Sequence, residues 1–224
     1  MGKTDHKRAL VIGASGGIGR AVSAALEARG VEVTGLSRRD GFELSDPGAV
    51  EAALAGLEPG FEMIFVASGA LTGAAERPEK ALREVTAEEL AAQFAINAIG
   101  PALVLRHAAR LLPRGRRAVF AALSARVGSI GDNRAGGWYS YRASKAALNQ
   151  ILHTGAIELA RSHRQAICVA LHPGTVQTGF TAAYPGHDKV APKTAAGNVL
   201  NVIDGLGPED SGGFFDWSGA VVPW

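Results

Sequence analysis

The chain alternates short apolar runs with longer segments in which apolar residues recur at helical spacing. The short runs are rich in Val, Ile, Leu and Phe, which is typical of buried strands. The predicted strands span residues 8–12, 31–36, 62–67, 117–123, 165–172 and 212–217. The predicted helices span residues 16–30, 46–57, 86–112, 138–162 and 194–206. Strands that are apolar on both faces and joined by helices indicate a parallel sheet covered on both sides.

This alternation predicts one α/β domain over residues 1–224. The expected fold is a single-domain Rossmann fold, a doubly wound parallel sheet of about seven strands with helices on both faces. The segment 179–193 contains Pro and Gly and is predicted as a long substrate loop inside the domain. His187, Asp188 and Lys189 supply most of the polarity of this loop.

Composition and charge exclude several classes of protein. Of the 224 residues, 47% are hydrophobic, and the formal net charge of +2 is too small for a nucleic-acid surface. No run reaches the roughly 20 apolar residues of a transmembrane helix, and the N-terminus lacks the apolar region of a signal peptide. We therefore expect a cytoplasmic protein with no membrane partner. The single cysteine, Cys168, lies in an apolar run as an inert buried thiol, and the six His residues lack metal-ligand spacing, so no metal site is predicted.

A glycine-rich loop, "LVIGASGGIGR", follows the first strand and opens the first helix. Glycine lets the backbone turn sharply and approach a ligand closely. The helix that begins there offers free N–H groups and a positive dipole end, which suit a pyrophosphate. The alternative is a tight strand–helix turn that binds no ligand. The predicted cofactor contacts in this loop are Gly13, Ser15, Gly16, Gly17, Ile18 and Gly19.

The tip of the second strand predicts which dinucleotide is bound. An acidic residue there would accept a hydrogen bond from the ribose 2′-hydroxyl of NAD. The tip instead carries Ser37, Arg38 and Arg39, and the planar guanidinium fork suits a 2′-phosphate. Asp40 lies past the tip. We therefore predict NADP(H) over NAD(H), the alternative being that both Arg residues are solvated loop charges.

The stretch "WYSYRASKAALNQ" places Tyr141 four residues before Lys145 on a predicted helix. Residues at i and i+4 share a helix face, so the two side chains can lie side by side. A phenol titrates near pH ~10, too high for a good base at neutral pH. A neighbouring ammonium favours the phenolate and is expected to lower the pKa of Tyr141.

The glycine spacing G-x-x-x-G-x-G, together with "YRASK", resembles the short-chain dehydrogenase/reductase family of the Tyr-x-x-x-Lys type. The stretches "SARVGSIGDNRAGGWYSYRASKAALN" and "GGFFDWSGAVVPW" are most similar to its branch of C-factor and sniffer-like carbonyl reductases. The resemblance implies that Tyr141 is the general acid/base and that Lys145 also binds the nicotinamide ribose hydroxyls.

The same resemblance implies two further catalytic residues. Asn97, in "FAINAIGP", matches the helix asparagine that the family uses to hold a water in a proton relay. A serine after the strand at 117–123 would hold the substrate oxygen. The family's usual place is occupied by Ala125, so we predict Ser124 as the catalytic serine, with Ser129 as its rival.

Further cofactor contacts are implied by position in the family pattern. Glu43 or the backbone of Leu44 would contact the adenine. "FVASGAL" stands where the family has Asn-Asn-Ala-Gly; it loses both Asn residues but keeps the small residues and the glycine. In "HPGTVQTGF", Val176 and Thr178 would hold the nicotinamide carboxamide. The residues carried over in these two segments are Ala67, Ser68, Gly69, Pro173, Gly174, Val176 and Thr178.

The function that these expectations favour is an NADP(H)-dependent oxidoreductase acting on a carbonyl or alcohol carbon of a small molecule. The alternative, kept open by Ala125, is a dinucleotide-binding signalling or regulatory protein with little or no turnover. A methyltransferase would explain the glycine loop but not "YRASK". The resemblance also implies a homodimer or homotetramer built on the two long helices.

Overall fold

A computed structural model describes residues 7–183, 186 and 188–224 of the chain. Its sheet is parallel, with strand order β2-β1-β3-β4-β5-β6. The strands are Arg8–Ile12 (β1), Glu32–Leu36 (β2), Met63–Val66 (β3), Ala118–Leu123 (β4), Ala166–His172 (β5) and Phe214–Asp216 (β6). The doubly wound fold is confirmed, with six strands in this sheet where about seven were expected. After β6 the chain turns back, and Val221 forms only an antiparallel bridge to Phe215, so no further parallel strand is added.

Helices cover both faces of the sheet. They are Gly17–Glu27 (α1), Pro47–Ala55 (α2), Ala87–Phe94 (α3), Gly100–Arg106 (α4), Ala108–Leu111 (α5), Tyr139–Ala160 (α6) and Pro192–Gly205 (α7). Helices α1 and α7 bury Val22, Leu26, Val199 and Ile203 in the core on one face of the sheet. The core on the other face is formed with α2, α4, α5 and α6. Within the described ranges, every helix is too short or too polar to cross a membrane.

The predicted long helix over 86–112 is interrupted, which corrects the expectation of one continuous element. A π-helical turn, Ala95–Ile99, separates α3 from α4, and α5 follows a further break. Pro101 has no N–H to donate to the carbonyl of Asn97, and a proline ring clashes with the carbonyl four residues earlier, so the helix widens there. At its start, Thr86 caps the helix, because its hydroxyl accepts from the N–H of Glu89 at 3.2 Å.

The chain reverses its winding between β1 and β3. From β1 it passes to β2 on one side, and from β3 it continues to β4, β5 and β6 on the other. In open α/β sheets, ligands bind outside the carboxyl ends of the strands at this switch point. The glycine loop after β1 and the segment after β3 both lie there.

Candidate active site

A cavity of about 690 Å³ opens at the carboxyl ends of the strands. It brings together the glycine loop, the ends of β3, β4 and β5, and the first turns of α6. The predicted site residues that line it are Gly16, Gly17, Ile18, Gly19, Arg38, Ala67, Ser68, Gly69, Ser124, Tyr141, Lys145, Pro173, Gly174, Val176 and Thr178. Among the described residues, those predicted for the site that lie outside its lining are Gly13, Ser15, Ser37, Arg39, Glu43, Leu44, Asn97 and Ser129.

The glycine loop is a tight backbone cradle. Gly13 has a φ of +83°, and a Cβ at Gly19 would clash with the main-chain oxygen of Gly13. A Cβ at Gly17 would meet the methyl group of Thr178 across the cavity mouth. The helix start at Gly16 has no side-chain cap, so the first N–H groups of α1 remain available to an anion. The loop therefore fits a phosphate group.

The two arginines at the tip of β2 differ in placement. Arg38 lines the cavity and Arg39 does not. Ser37 is buried, and its hydroxyl donates to the Asp40 carboxylate at 2.6 Å. Arg38 is therefore the cation at this end of the cavity, and Asp40 is engaged by its own turn.

Neither residue predicted for the adenine contact reaches the cavity wall. The Glu43 carboxylate accepts from the N–H of Ser45 at 3.1 Å and from its hydroxyl at 2.8 Å, and these bonds lower the pKa of Glu43. Leu44 is buried in the core, where Gly100 lies so close that a Cβ at that position would clash with it. The apolar requirement of the core explains the placement of Leu44.

The segment after β3 lies against α6 and the π-helical turn. A Cβ at Gly69 would stand 3.2 Å from Asn97 Oδ1 and 3.3 Å from Lys145 Nζ. The amide of Asn97 exchanges two hydrogen bonds with the backbone of Ala70, each 2.9 Å long, and donates to Ser144 Oγ at 3.1 Å. Asn97 thus fastens the end of β3 to α6, which is how a mid-helix asparagine comes to be fully buried.

A buried carboxylate stabilises the start of α6. Trp138 precedes the helix in the left-handed region, with φ of 55°, and donates its N–H to the carbonyl of Glu79 at 2.5 Å. The Glu79 carboxylate accepts from both the N–H and the hydroxyl of Ser140. These bonds satisfy donors of the first turn and set the position of Tyr141 one residue further on.

Tyr141 and Lys145 lie on one face of α6, as the spacing predicted. Lys145 Nζ stands 5.9 Å from the centre of the Tyr141 ring and donates to the carbonyl of Leu123 at 2.9 Å. Burial lowers the pKa of Lys145 to about 7 and raises the pKa of Tyr141 well above its usual value. The expectation of a lowered tyrosine pKa was wrong for this structure, because loss of solvent acts on both groups and outweighs their mutual attraction.

The two candidate serines are separated by the structure. Ser124 lines the cavity, and its hydroxyl donates to Asn149 Oδ1 at 2.6 Å. Ser129 is buried away from the lining and accepts from the N–H of Asp132 at 3.0 Å. Ala125 lines the cavity without a hydroxyl to offer. The geometry therefore favours Ser124 over Ser129.

Several lining residues were not predicted. They are Leu71, Leu123, Ala125, Arg126, Val127, Trp138, His172 and Thr175, whereas Gly179, Phe180 and Thr181 belong to the predicted substrate loop 179–193. Trp138 and Phe180 pack on Tyr141, with ring centres 6.2 Å and 6.0 Å away. Burial lowers the pKa of His172 to about 4, so its imidazole is neutral at neutral pH. Their position in the sequence could have identified some of them, because Arg126, Trp138 and His172 each lie within three residues of a predicted site residue.

The predicted substrate loop folds back onto the segment after β5. Val190 exchanges backbone hydrogen bonds with Thr175 and Gln177, and the Lys189 ammonium donates to the carbonyl of Thr181 at 2.5 Å. His187 lies outside the described residues. This arrangement places Phe180 against the Tyr141 ring in the cavity lining.

The chain is similar to several known proteins. Residues 41–206 match a family model described as enoyl-(acyl carrier protein) reductase. C-signal of Myxococcus xanthus is 42% identical over 150 residues, which are 64% of this chain and 84% of that protein. The 1-hydroxy-2-glutathionyl-2-methyl-3-butene dehydrogenase of Rhodococcus sp. strain AD45 is 33% identical, over 96% of this chain and 98% of its own.

Among solved structures, NADPH-bound carbonyl reductase from chicken fatty liver superimposes with a TM-score of 0.81 and 26% identity. The match covers all of this chain and 96% of that one. The family model spans well over half of the chain, and the Rhodococcus dehydrogenase aligns along nearly all of it. The chain therefore belongs to the short-chain dehydrogenase/reductase family of oxidoreductases.

Proposed function

We propose that this protein is an NADP(H)-dependent oxidoreductase that transfers a hydride between nicotinamide and a carbonyl or alcohol carbon, with Tyr141 as general acid/base. The observation that carries the proposal is that Tyr141 and Lys145 share one cavity with the glycine cradle and Arg38. The family membership and the NADPH-bound chicken carbonyl reductase support it.

The residues around the cavity fit the cofactor by their chemistry. The N–H groups at the start of α1 would bind the pyrophosphate, and Arg38 would bind the 2′-phosphate. Lys145 would hold the nicotinamide ribose, and the Val176–Thr178 segment would hold the carboxamide. The bound cofactor supplies the hydride.

The chain's own residues would handle the proton. Because burial raises the pKa of Tyr141, its phenol is protonated at neutral pH and can donate to a developing alkoxide. Ser124 would hold the substrate oxygen beside it. Alcohol oxidation would instead require the phenolate at this position.

The decisive experiment measures NADPH consumption against a panel of carbonyl compounds, with Tyr141→Phe beside the wild-type protein. Loss of the general acid should lower kcat by about 10²- to 10⁴-fold while NADPH still binds. Tyr139→Phe is the matched control. It makes the same change two residues before Tyr141, and the Tyr139 side chain does not line the cavity. Equal activity of Tyr141→Phe and wild type would refute the proposed role.

A second candidate function is regulatory dinucleotide binding with little turnover. The similarity to C-signal and the alanine at position 125 favour it. A wild-type protein that binds NADPH yet reduces no compound of the panel would support this candidate and exclude the first.

We further propose a cytoplasmic homodimer or homotetramer formed through the two long helical regions. Ile99 at the π-helical turn and Ile157 on α6 are 50% and 55% exposed, and such side chains favour burial in an interface. Sedimentation that shows only monomer at micromolar concentration would contradict the oligomer.

A further inference from the structure

Ser124 has a buried partner that the family comparison does not assign. Its hydroxyl lies 2.6 Å from Oδ1 of Asn149, and the two residues are 4% and 2% exposed. Asn149 follows Lys145 by four residues and Tyr141 by eight, so all three lie on the same face of α6. Ser124 lines the cavity and Asn149 does not, so Asn149 contacts Ser124 from behind the cavity wall.

The orientation of the Asn149 amide determines where the Ser124 proton points. A serine hydroxyl has one proton to donate. With Oδ1 towards Ser124, that proton goes to Asn149, and none is left for a substrate oxygen. In the same orientation Nδ2 of Asn149 is buried without a hydrogen-bond partner within the described part of the chain. A buried amide N–H without a hydrogen-bond partner is unfavourable, so the opposite orientation of the Asn149 amide is favoured.

Rotation of the amide by 180° about its Cβ–Cγ bond exchanges its oxygen and nitrogen. Nδ2 then donates to Ser124 Oγ, and the hydroxyl proton is free to point into the cavity. In this orientation fewer N–H groups of Asn149 lack a partner. The carbonyl oxygen that now lacks one costs less free energy than an unpartnered N–H. The side chains of both residues keep their positions.

We propose that Asn149 is a positioning residue that donates to Ser124 and thereby directs the Ser124 proton towards the substrate oxygen. This inference rests on the proposed function. It explains how a serine displaced by one position from the family's usual place, now Ala125, can serve as the substrate-oxygen donor.

The test is Asn149→Asp, assayed for kcat with NADPH and the best carbonyl substrate of the wild-type protein. A carboxylate only accepts, so it holds the Ser124 proton, and kcat at about pH 8 should fall about 100-fold, as in Ser124→Ala. As the pH falls and the buried carboxyl takes up a proton, it becomes a donor, and kcat relative to wild type should recover. In the Ser124→Ala background, Asn149→Asp should add no further loss and no such recovery.

Gln150→Glu is the matched control, because it makes the same amide-to-acid change on an exposed side chain that only donates to Thr154. It should leave kcat unchanged. NADPH affinity and the thermal midpoint report whether each variant is folded. Should Asn149→Asp fail to fold, Asn149→Leu takes its place; it offers Ser124 no acceptor and should lose less activity than Ser124→Ala.

Turnover by the wild-type protein tests the proposed function alone. If the wild-type protein reduces no carbonyl compound, both the proposed function and the role of Asn149 are overturned. Where wild type turns over, three results overturn the role of Asn149 and leave the proposed function intact. These are wild-type kcat in Asn149→Asp at about pH 8, a loss of the same size in the presence and absence of Ser124, and a loss in Asn149→Leu as large as that in Ser124→Ala.

Discussion

The two ends of the cavity are built from different materials. The proposed phosphate end is formed by the backbone of the glycine loop 13–19, where added side chains would clash, and by the Arg38 side chain. The proposed proton-transfer corner is formed by the buried side chains of Ser124, Tyr141 and Lys145, with Asn149 behind Ser124. Backbone N–H groups act as fixed dipoles whose effect hardly changes with pH. The buried side chains titrate, and burial determines how.

The largest loss is expected from adding one methyl group at the phosphate end. In Gly19→Ala the new Cβ would clash with the main-chain oxygen of Gly13, so the loop must move. A shift of ~1 Å misaligns every donor together, and we expect the Kd for NADPH to rise by about 100-fold or more. Isothermal titration measures this directly.

Gly197→Ala provides the control for that experiment. Gly197 lies in α7, and a methyl group added there would meet only open space. The substitution should therefore stabilise the helix by about 0.5–1 kcal/mol without changing the Kd for NADPH. Unchanged NADPH affinity in Gly19→Ala would show that the cradle is not a phosphate site.

A smaller effect is expected at Arg38, the cation that lines the proposed phosphate end. Charge-assisted hydrogen bonds contribute about 1.5–3 kcal/mol each, so Arg38→Ala should raise the KM for NADPH by about 10- to 100-fold. The KM for NADH should hardly change. Arg39→Ala, which removes the neighbouring guanidinium outside the lining, should leave both values as they are. An equal rise in the KM for NADPH in both variants would mean that NADPH responds to the overall positive charge near the cavity and not to Arg38 in particular.

The smallest effect is a pH dependence that belongs to the proton-transfer corner. Burial lowers the pKa of Lys145 to about 7, so the ammonium is present below that pH and lost above it. If the charged form binds the cofactor ribose, kcat/KM for NADPH, which reports on the free enzyme, should fall by about tenfold per pH unit above about 7. Lys145→Met should be poor throughout and lack this limb, and a flat wild-type profile from about pH 6 to about 8.5 would refute the assignment.

The same division explains what could be predicted from the sequence. Glycine spacing and apolar runs report the backbone directly, so the sheet, the cradle and the Tyr141–Lys145 face followed from local pattern. Trp138 and His172 lie beside predicted site residues and Phe180 lies in the predicted loop, but the three segments are far apart in sequence, and their packing around one cavity follows only from the tertiary structure. The direction in which the pKa of Tyr141 shifts could not be predicted either, because the spacing indicates a neighbouring charge but not how deeply the phenol is buried.

The wide turn at Ala95–Ile99 makes the length of this helical stretch matter as much as its composition. The buried residues Glu89, Gln93 and Asn97 repeat every four positions, which on a helix of 3.6 residues per turn drifts by about 40° per step. The wide turn absorbs that drift, so that Asn97 meets α6 while Val104 still faces the core. A π-helical turn holds one residue more than an α-helical turn, so deleting one residue here would restore a regular helix and remove the wide turn that carries Asn97.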